Sequence, residues 1–166
     1  RGSFSARVSL IEGINTITAV ATDSFGNSGS DTISLTLDSK PPTIQVTSPL
    51  PNSLQNSRLV TISGAADAKA ASIVVTSPAV TQPVTATIAN GVFTAANVAL
   101  AEGLNTITAT ATSNAGNVGK STIKVTVDTV APLVSLTAPK DQSLTNKKMI
   151  TVTGTVDDSL AVVKVN

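Results

Sequence analysis

EGLNTITATATSNAGN, residues 102–117, restates EGINTITAVATDSFGN at 12–27, each matched position returning 90 residues later. The offset holds well outside the quoted stretch. Asp38 and Pro42 recur as Asp128 and Pro132, Ser53-Leu54 as Ser143-Leu144, and Gly64 and Asp67 as Gly154 and Asp157. A period of this size is too long for a solenoid unit and suits a small independently folded domain. The chain therefore reads as tandem copies. Residues 1–39 are the C-terminal half of one repeat, 40–129 a complete repeat, and 130–166 the N-terminal half of a third.

Inside the stretch, Ile107, Ala109 and Ala111 alternate with Thr106, Thr108, Thr110 and Thr112. Further on, Ile123, Val125 and Val127 alternate with Thr122, Lys124 and Thr126. Period-two patterning marks strands with one buried and one wetted face. The complete repeat reads as seven strands, near 43–47, 58–63, 71–76, 83–89, 91–100, 104–112 and 120–128. Turn signals separate them, and Asn90-Gly91 has the residues a two-residue hairpin with positive φ requires. Seven short strands in about 90 residues predict a two-sheet Greek-key sandwich. Phe4, Ala6, Val8 and Leu10 alternate without a break, whereas Phe93, Val98 and Leu100 are spaced one residue too far apart. A β-bulge near Ala95–Asn97 would keep both Phe93 and Val98 inward.

Composition narrows the function. Of 166 residues 41% are hydrophobic, yet Trp and Tyr are absent and Phe4, Phe25 and Phe93 are the only aromatics, so the core is aliphatic. A net charge of +1 with 13% charged residues gives no field for nucleic acid or an anionic membrane. The apolar runs are too short for membrane insertion as helices. Without Cys there is no disulfide framework and no thiolate metal site. A weakly charged, Thr/Ser-rich β protein of this kind suits an extracellular or cell-surface bacterial location.

The run EG-[IL]-NTIT followed by AT and GN, a strand closing on Asp, a T-[SA]-P turn and a [IV]-T-[IV]-[ST]-G strand with Asp three residues after Gly resemble the bacterial immunoglobulin-like (Big-type) tandem repeat domains of secreted and surface proteins. The resemblance covers the whole chain. It implies tandem immunoglobulin-like Greek-key β-sandwiches with roles in adhesion, surface display or spacing. Some members accompany glycoside hydrolase domains as accessory modules.

Candidate chemistry is sparse. His, Cys and Tyr are absent, and Glu12 and Glu102, the two glutamates, are one position in successive copies. A paired-carboxylate glycosidase needs two acids flanking one bond, so the expectation is a non-enzyme with no catalytic residues and no cofactor. Asp23, Asn27 and Asp38 form a calcium candidate, but Ser113 replaces Asp23 in the next copy, and an Asx-type turn explains the motif more simply. Asn15 and Asn105, beside Gly13 and Gly103, sit where one strand crosses to the other sheet, and a buried amide there can hold the loop backbone. Pro42 and Pro132 stiffen junctions of only three residues after Asp38 and Asp128. Phe25, in a loop, is a candidate contact for a neighbouring copy or subunit.

The halves leave apolar faces open, with Phe4, Val8 and Leu10 on one and Val152, Val163 and Val165 on the other. Each half supplies three strands. The sequence favours an excerpt of a longer polypeptide whose neighbours complete each half; the alternative is a composite domain between subunits, which would propagate as a filament. The expected function is a structural, non-catalytic segment of a bacterial extracellular fibre, filament or adhesin stalk. Its partners would be neighbouring repeats, other copies, or a host or surface glycan or protein receptor. The alternative is a carbohydrate-binding or spacer module of a secreted glycoside hydrolase.

Overall fold

A computed structural model describes residues 2–159 and 161–166. The described residues contain strands and turns and no helix. An N-terminal hairpin pairs β1 (Gly13–Thr22) with β2 (Ser28–Leu37). Then come β3 (Ile44–Ser48), β4 (Leu54–Gln55), β5 (Leu59–Ala66), β6 (Ala70–Thr76), β7 (Val84–Thr85), β8 (Thr87–Ala89), β9 (Val92–Ala99), β10 (Gly103–Ser113) and β11 (Val118–Val127). A C-terminal hairpin pairs β12 (Val134–Ala138) with β13 (Thr153–Val156).

Strands β3 to β11 form two sheets, ordered β3-β5-β9-β8 and β4-β11-β10-β6-β7. In the first sheet β5 lies between β3 and β9, and in the second β10 lies between β11 and β6. That is the immunoglobulin-like arrangement of a β-sandwich. The alternation in β10 sets which side chains enter the core: Asn105, Ile107, Ala109 and Ala111 are buried while the threonines between them are not. On the outer face Thr108 and Thr122 share a hydroxyl hydrogen bond of 3.1 Å across β10 and β11, as Thr18 and Thr32 do at 3.0 Å across β1 and β2. Such cross-strand pairs each add a few tenths of a kcal/mol or more, about 0.2–1.

The core lies between the sheets. Ile62, Phe93 and Val98 from one pack with Ile73, Ile107 and Val125 from the other, all fully buried. Full burial of each such side chain is worth about 1.5–3 kcal/mol. A register shift lies where the alternation requires it. Val60 opposes Val98 and Ile62 opposes Ala95, so Ala96 and Asn97 together face Thr61. Asn97 takes φ 56°, and both Phe93 and Val98 remain inside. The Asn90-Gly91 turn has φ of 52° and 76°, as its hairpin demands.

Three expectations need correction. The segment 83–89 is two short strands, β7 in one sheet and β8 in the other, because the chain changes sheets at buried Ala86, whose N–H reaches Ile73 O at 2.9 Å. Residues 54–55 add a short parallel edge, β4, beside β11. Each end forms two paired strands where three were expected. Residues 2–10 and 161–166 join no ladder. In the complete sandwich β9 is paired by β5 and β8, and β6 by β10 and β7; at the 90-residue offset those partners fall outside residues 1–166.

Candidate functional site

The polar chemistry of the chain gathers where one repeat passes to the next. The Glu12 carboxylate accepts hydrogen bonds from the Ser39 hydroxyl at 2.7 Å and the Ser39 N–H at 3.3 Å. Ninety residues on, Glu102 accepts the Thr129 N–H at 2.9 Å and its hydroxyl at 2.8 Å. Each glutamate thus ties the loop before a long strand to the first linker residue after the hairpin. Glu102 is also bridged by Arg58 at 2.8 Å. The Ser39 hydroxyl, and with it Lys69, holds Glu12 below the ordinary carboxylate range; the Thr129 N–H does the same for Glu102, helped by its hydroxyl and by Arg58.

From the other side of the first junction, Lys69 reaches back to Asp38 at 2.8 Å and to Glu12 at 3.8 Å. Its ammonium hydrogen bond keeps Asp38 acidic, and the same carboxylate raises Lys69. Asn117 Nδ2 donates to Asp38 O at 2.8 Å. Gly119 lies under the linker so closely that a Cβ there would overlap the Pro42 carbonyl oxygen. Asp67 then receives the Thr43 N–H at 2.8 Å and its hydroxyl at 2.9 Å, pinning the start of β3, and the Thr43 N–H keeps it acidic. Asp157 accepts the Leu133 N–H at 2.8 Å in the same way ahead of β12. Position 159, the counterpart of Lys69, is Ser, so the ammonium is particular to the first junction.

Asn105 is a corner post. Fully buried, its Oδ1 accepts the Ala101 N–H at 2.9 Å, and its Nδ2 donates to Ala101 O at 2.7 Å and Gly103 O at 2.9 Å. Asn15 makes the same three bonds to Ile11 and Gly13. Gly103 and Gly13 take φ of 84° and 97°, a region closed to most side chains. Asn105 closes the turn through which β9 in one sheet continues to β10 in the other, and Asn15 closes the equivalent turn ahead of β1.

The calcium grouping does not assemble. Asp23 caps its own turn, accepting Phe25 N–H and Asn27 N–H on Oδ1 and Asn27 Nδ2 on Oδ2, each at 2.8 Å. The Asn27 side chain, foremost, lowers its pKa. Asp38 lies at the opposite end of the hairpin, past ten residues of β2, or about 33 Å of strand. Among the described residues no three acids converge. Phe25 is 90% exposed on that turn, and Ala115 takes its place in the next copy. Phe4 and Val8 line an open trough of about 1010 Å³ with Ile17 and Ile33, and Val152 and Val165 flank a smaller one. Leu10 and Val163 lie in the same unpaired end segments.

Sequence reading missed the two carboxylate clamps. The signal was there: both glutamates stand 27 residues before a Ser or Thr that follows the strand-closing Asp. For Lys69 there was none, because its role does not recur.

A tandem immunoglobulin-like sandwich whose polar residues serve turns and junctions is the class this geometry defines. Residues 42–129, just over half of the chain, match the family described as glucodextranase, domain B. The chain belongs to that family, which supports the immunoglobulin-like repeat without singling out the Big-type group. Bacillopeptidase F of Bacillus subtilis (strain 168) is 44% identical over 84 residues, covering 49% of this chain and 6% of that protein. The chain therefore spans a small part of this much longer relative. A crystal structure of a tetra-tandem repeat in the extending region of a large adhesion protein aligns over 78% of this chain and 36% of its own, with TM-score 0.50 and 26% identity.

Proposed function

We propose that the chain is a non-catalytic spacer segment of an extracellular bacterial protein: one whole repeat, 40–129, between parts of two others, 1–39 and 130–166. The observation that carries this reading is the first junction, where Lys69, Asn117 and Gly119 of one repeat hold the linker and hairpin of the one before. A tether needs no such contacts; a segment that sets distance and direction does. The likeness to the extending region of a large adhesion protein supports the same role. Here Glu12, Asp67 and Glu102 spend their carboxylates on backbone and hydroxyl donors of the junctions.

The family name and the Bacillopeptidase F relative favour a second setting, an accessory module within a large secreted enzyme. Spacing serves there too. A sugar-binding role would call for an aromatic platform, whereas Phe93 is buried, Phe4 is its counterpart on the apolar face of the first copy, and Phe25 gives way to Ala115 in the next copy. Incubated with insoluble polysaccharides, α-glucans among them, the chain is expected to stay in the supernatant. Saturable retention on one polysaccharide, released by its soluble fragments, would replace the spacer reading with a binding module.

A further inference from the structure

The complete repeat is entered at Lys40 and left at Asp128, and its first segment lies along its last strand. Gly119 passes under the Pro42 carbonyl. Farther on, Val46 N–H donates to Ser121 Oγ at 3.0 Å and Asn52 N–H to Lys124 O at 2.7 Å. Thr126 N–H then donates to Ser53 O at 3.0 Å, and Asp128 N–H to Gln55 O at 2.9 Å. Residue numbers rise together on both sides of this seam, so the two segments run the same way. Its last part is the parallel pair of β4 and β11. From Gly119 to Asp128 the seam covers about 30 Å of chain.

We infer that this seam gives the repeat a second function, resistance to tension: pull arriving from the neighbouring repeats loads the bonds between residues 42–55 and β11 in shear. The inference rests on the spacer reading, in which pull enters a repeat only through its two junctions. Tension draws Lys40 out at one pole and Asp128 out at the other. Because the joined segments are parallel, they must slide past each other along their length. No bond at one end of the seam can open ahead of the rest, so its bonds share the pull until they break together. The backing strands keep the segments from peeling away. β5 holds β3 from Ile44 to Ser48, and β10 holds β11 from Val118 to Val127. An antiparallel hairpin pulled at its open end behaves otherwise. Gly103 and Val127 close the β10–β11 ladder at one pole, and separating them opens one pair after another.

The turn that lays β4 beside β11 returns in the next copy. Ser53-Leu54 becomes Ser143-Leu144, and Gln142, in the place of Asn52, takes φ 58° against 62°. Few residues adopt that region, so the same unusual turn is kept although its residue changes.

An optical trap holding the 166-residue chain by two DNA handles tests the inference, and the chain has no native Cys to interfere. Handles on Lys40→Cys and Val130→Cys, both exposed, pull the seam along its length. Handles on Ala101→Cys and Val130→Cys pull the β10–β11 ladder open from Gly103 and Val127. The fold is the same in both, so a difference in force belongs to direction. At one loading rate the first axis is expected to need at least about twice the force of the second, since forced unfolding follows the barrier met along the pull. Asp128→Pro, just past the end of β11, removes the N–H that reaches Gln55 O. It should lower the force along the first axis and leave the second unchanged. Equal forces along both axes overturn the inference. So does a proline variant with the parent's circular dichroism and an undiminished force along the first axis. Equal forces in a chain that also ignores polysaccharides would leave the spacer reading intact; retention on a polysaccharide would remove that reading and leave the directional difference standing.

Discussion

Replacing Asn105 with alanine is expected to destabilise the 40–129 repeat by about 3 kcal/mol, lowering its melting temperature by roughly 15 °C. The side chain is fully buried and makes three bonds, to Ala101 N, Ala101 O and Gly103 O. Alanine removes all three and leaves part-buried backbone groups unpaired, and an unpaired group costs more than the net worth of the bond it lost. Asn105→Asp separates the roles: the carboxylate still accepts from Ala101 N but faces two carbonyl oxygens without a donor. It should be at least as damaging as alanine near neutral pH. Equilibrium unfolding in urea measures both. A loss below 1 kcal/mol for alanine would mean the corner is held by the surrounding strands.

The second large effect lies at Gly64, in the middle of β5. A Cβ there would overlap the Gln45 carbonyl oxygen, come 2.8 Å from Val46 Cα and 2.7 Å from the Phe93 ring. Two of the three obstacles are backbone in the neighbouring strand β3, so no rotamer change relieves them. The fault would open the β3–β5 ladder and displace the largest core side chain together. Gly64→Ala is expected to cost about 3 kcal/mol, and Gly64→Val to leave the repeat unfolded at room temperature. Far-ultraviolet circular dichroism with urea titration reads both. Gly64→Ala within 1 kcal/mol of the parent would show that β3 can move aside freely.

These two residues also show what the sequence made legible. Gly64 and Asn105 both recur at the fixed offset, as Gly154 and Asn15, and the alternation around Asn105 turns its amide inward. Alternation and period together carried the all-β sandwich, and the surplus residue between Phe93 and Val98 carried the bulge. What stayed hidden depends on contacts between distant segments. The two-residue ladders of β4 and β7 have no period to read, and exist because β11 and β6 offer them an edge. Asp38 looked like a partner for Asp23 because both are acids near one hairpin. Pairing Gly13 with Leu37 and Thr22 with Ser28 puts them at opposite ends of it. The Glu12 and Glu102 clamps reach across a whole hairpin, and only the shared 27-residue spacing to Ser39 and Thr129 marks them in the sequence.

A pulsed-EPR distance between spin labels on Ser34→Cys and Thr85→Cys, both exposed positions, tests the central claim that the first junction is held in one geometry. The chain has no native Cys, and dilution with unlabelled chain removes distances between copies. At pH 7 a single narrow distribution is expected, broadening in Lys69→Ala. Acid should broaden it too. Glu12 and Asp38 titrate below their ordinary values of 4.5 and 3.8, so the junction is held above those values and released as pH falls through the lower, folded-state ones. A distribution already broad at pH 7 and indifferent to Lys69 would contradict the account, because the linker would then be a tether.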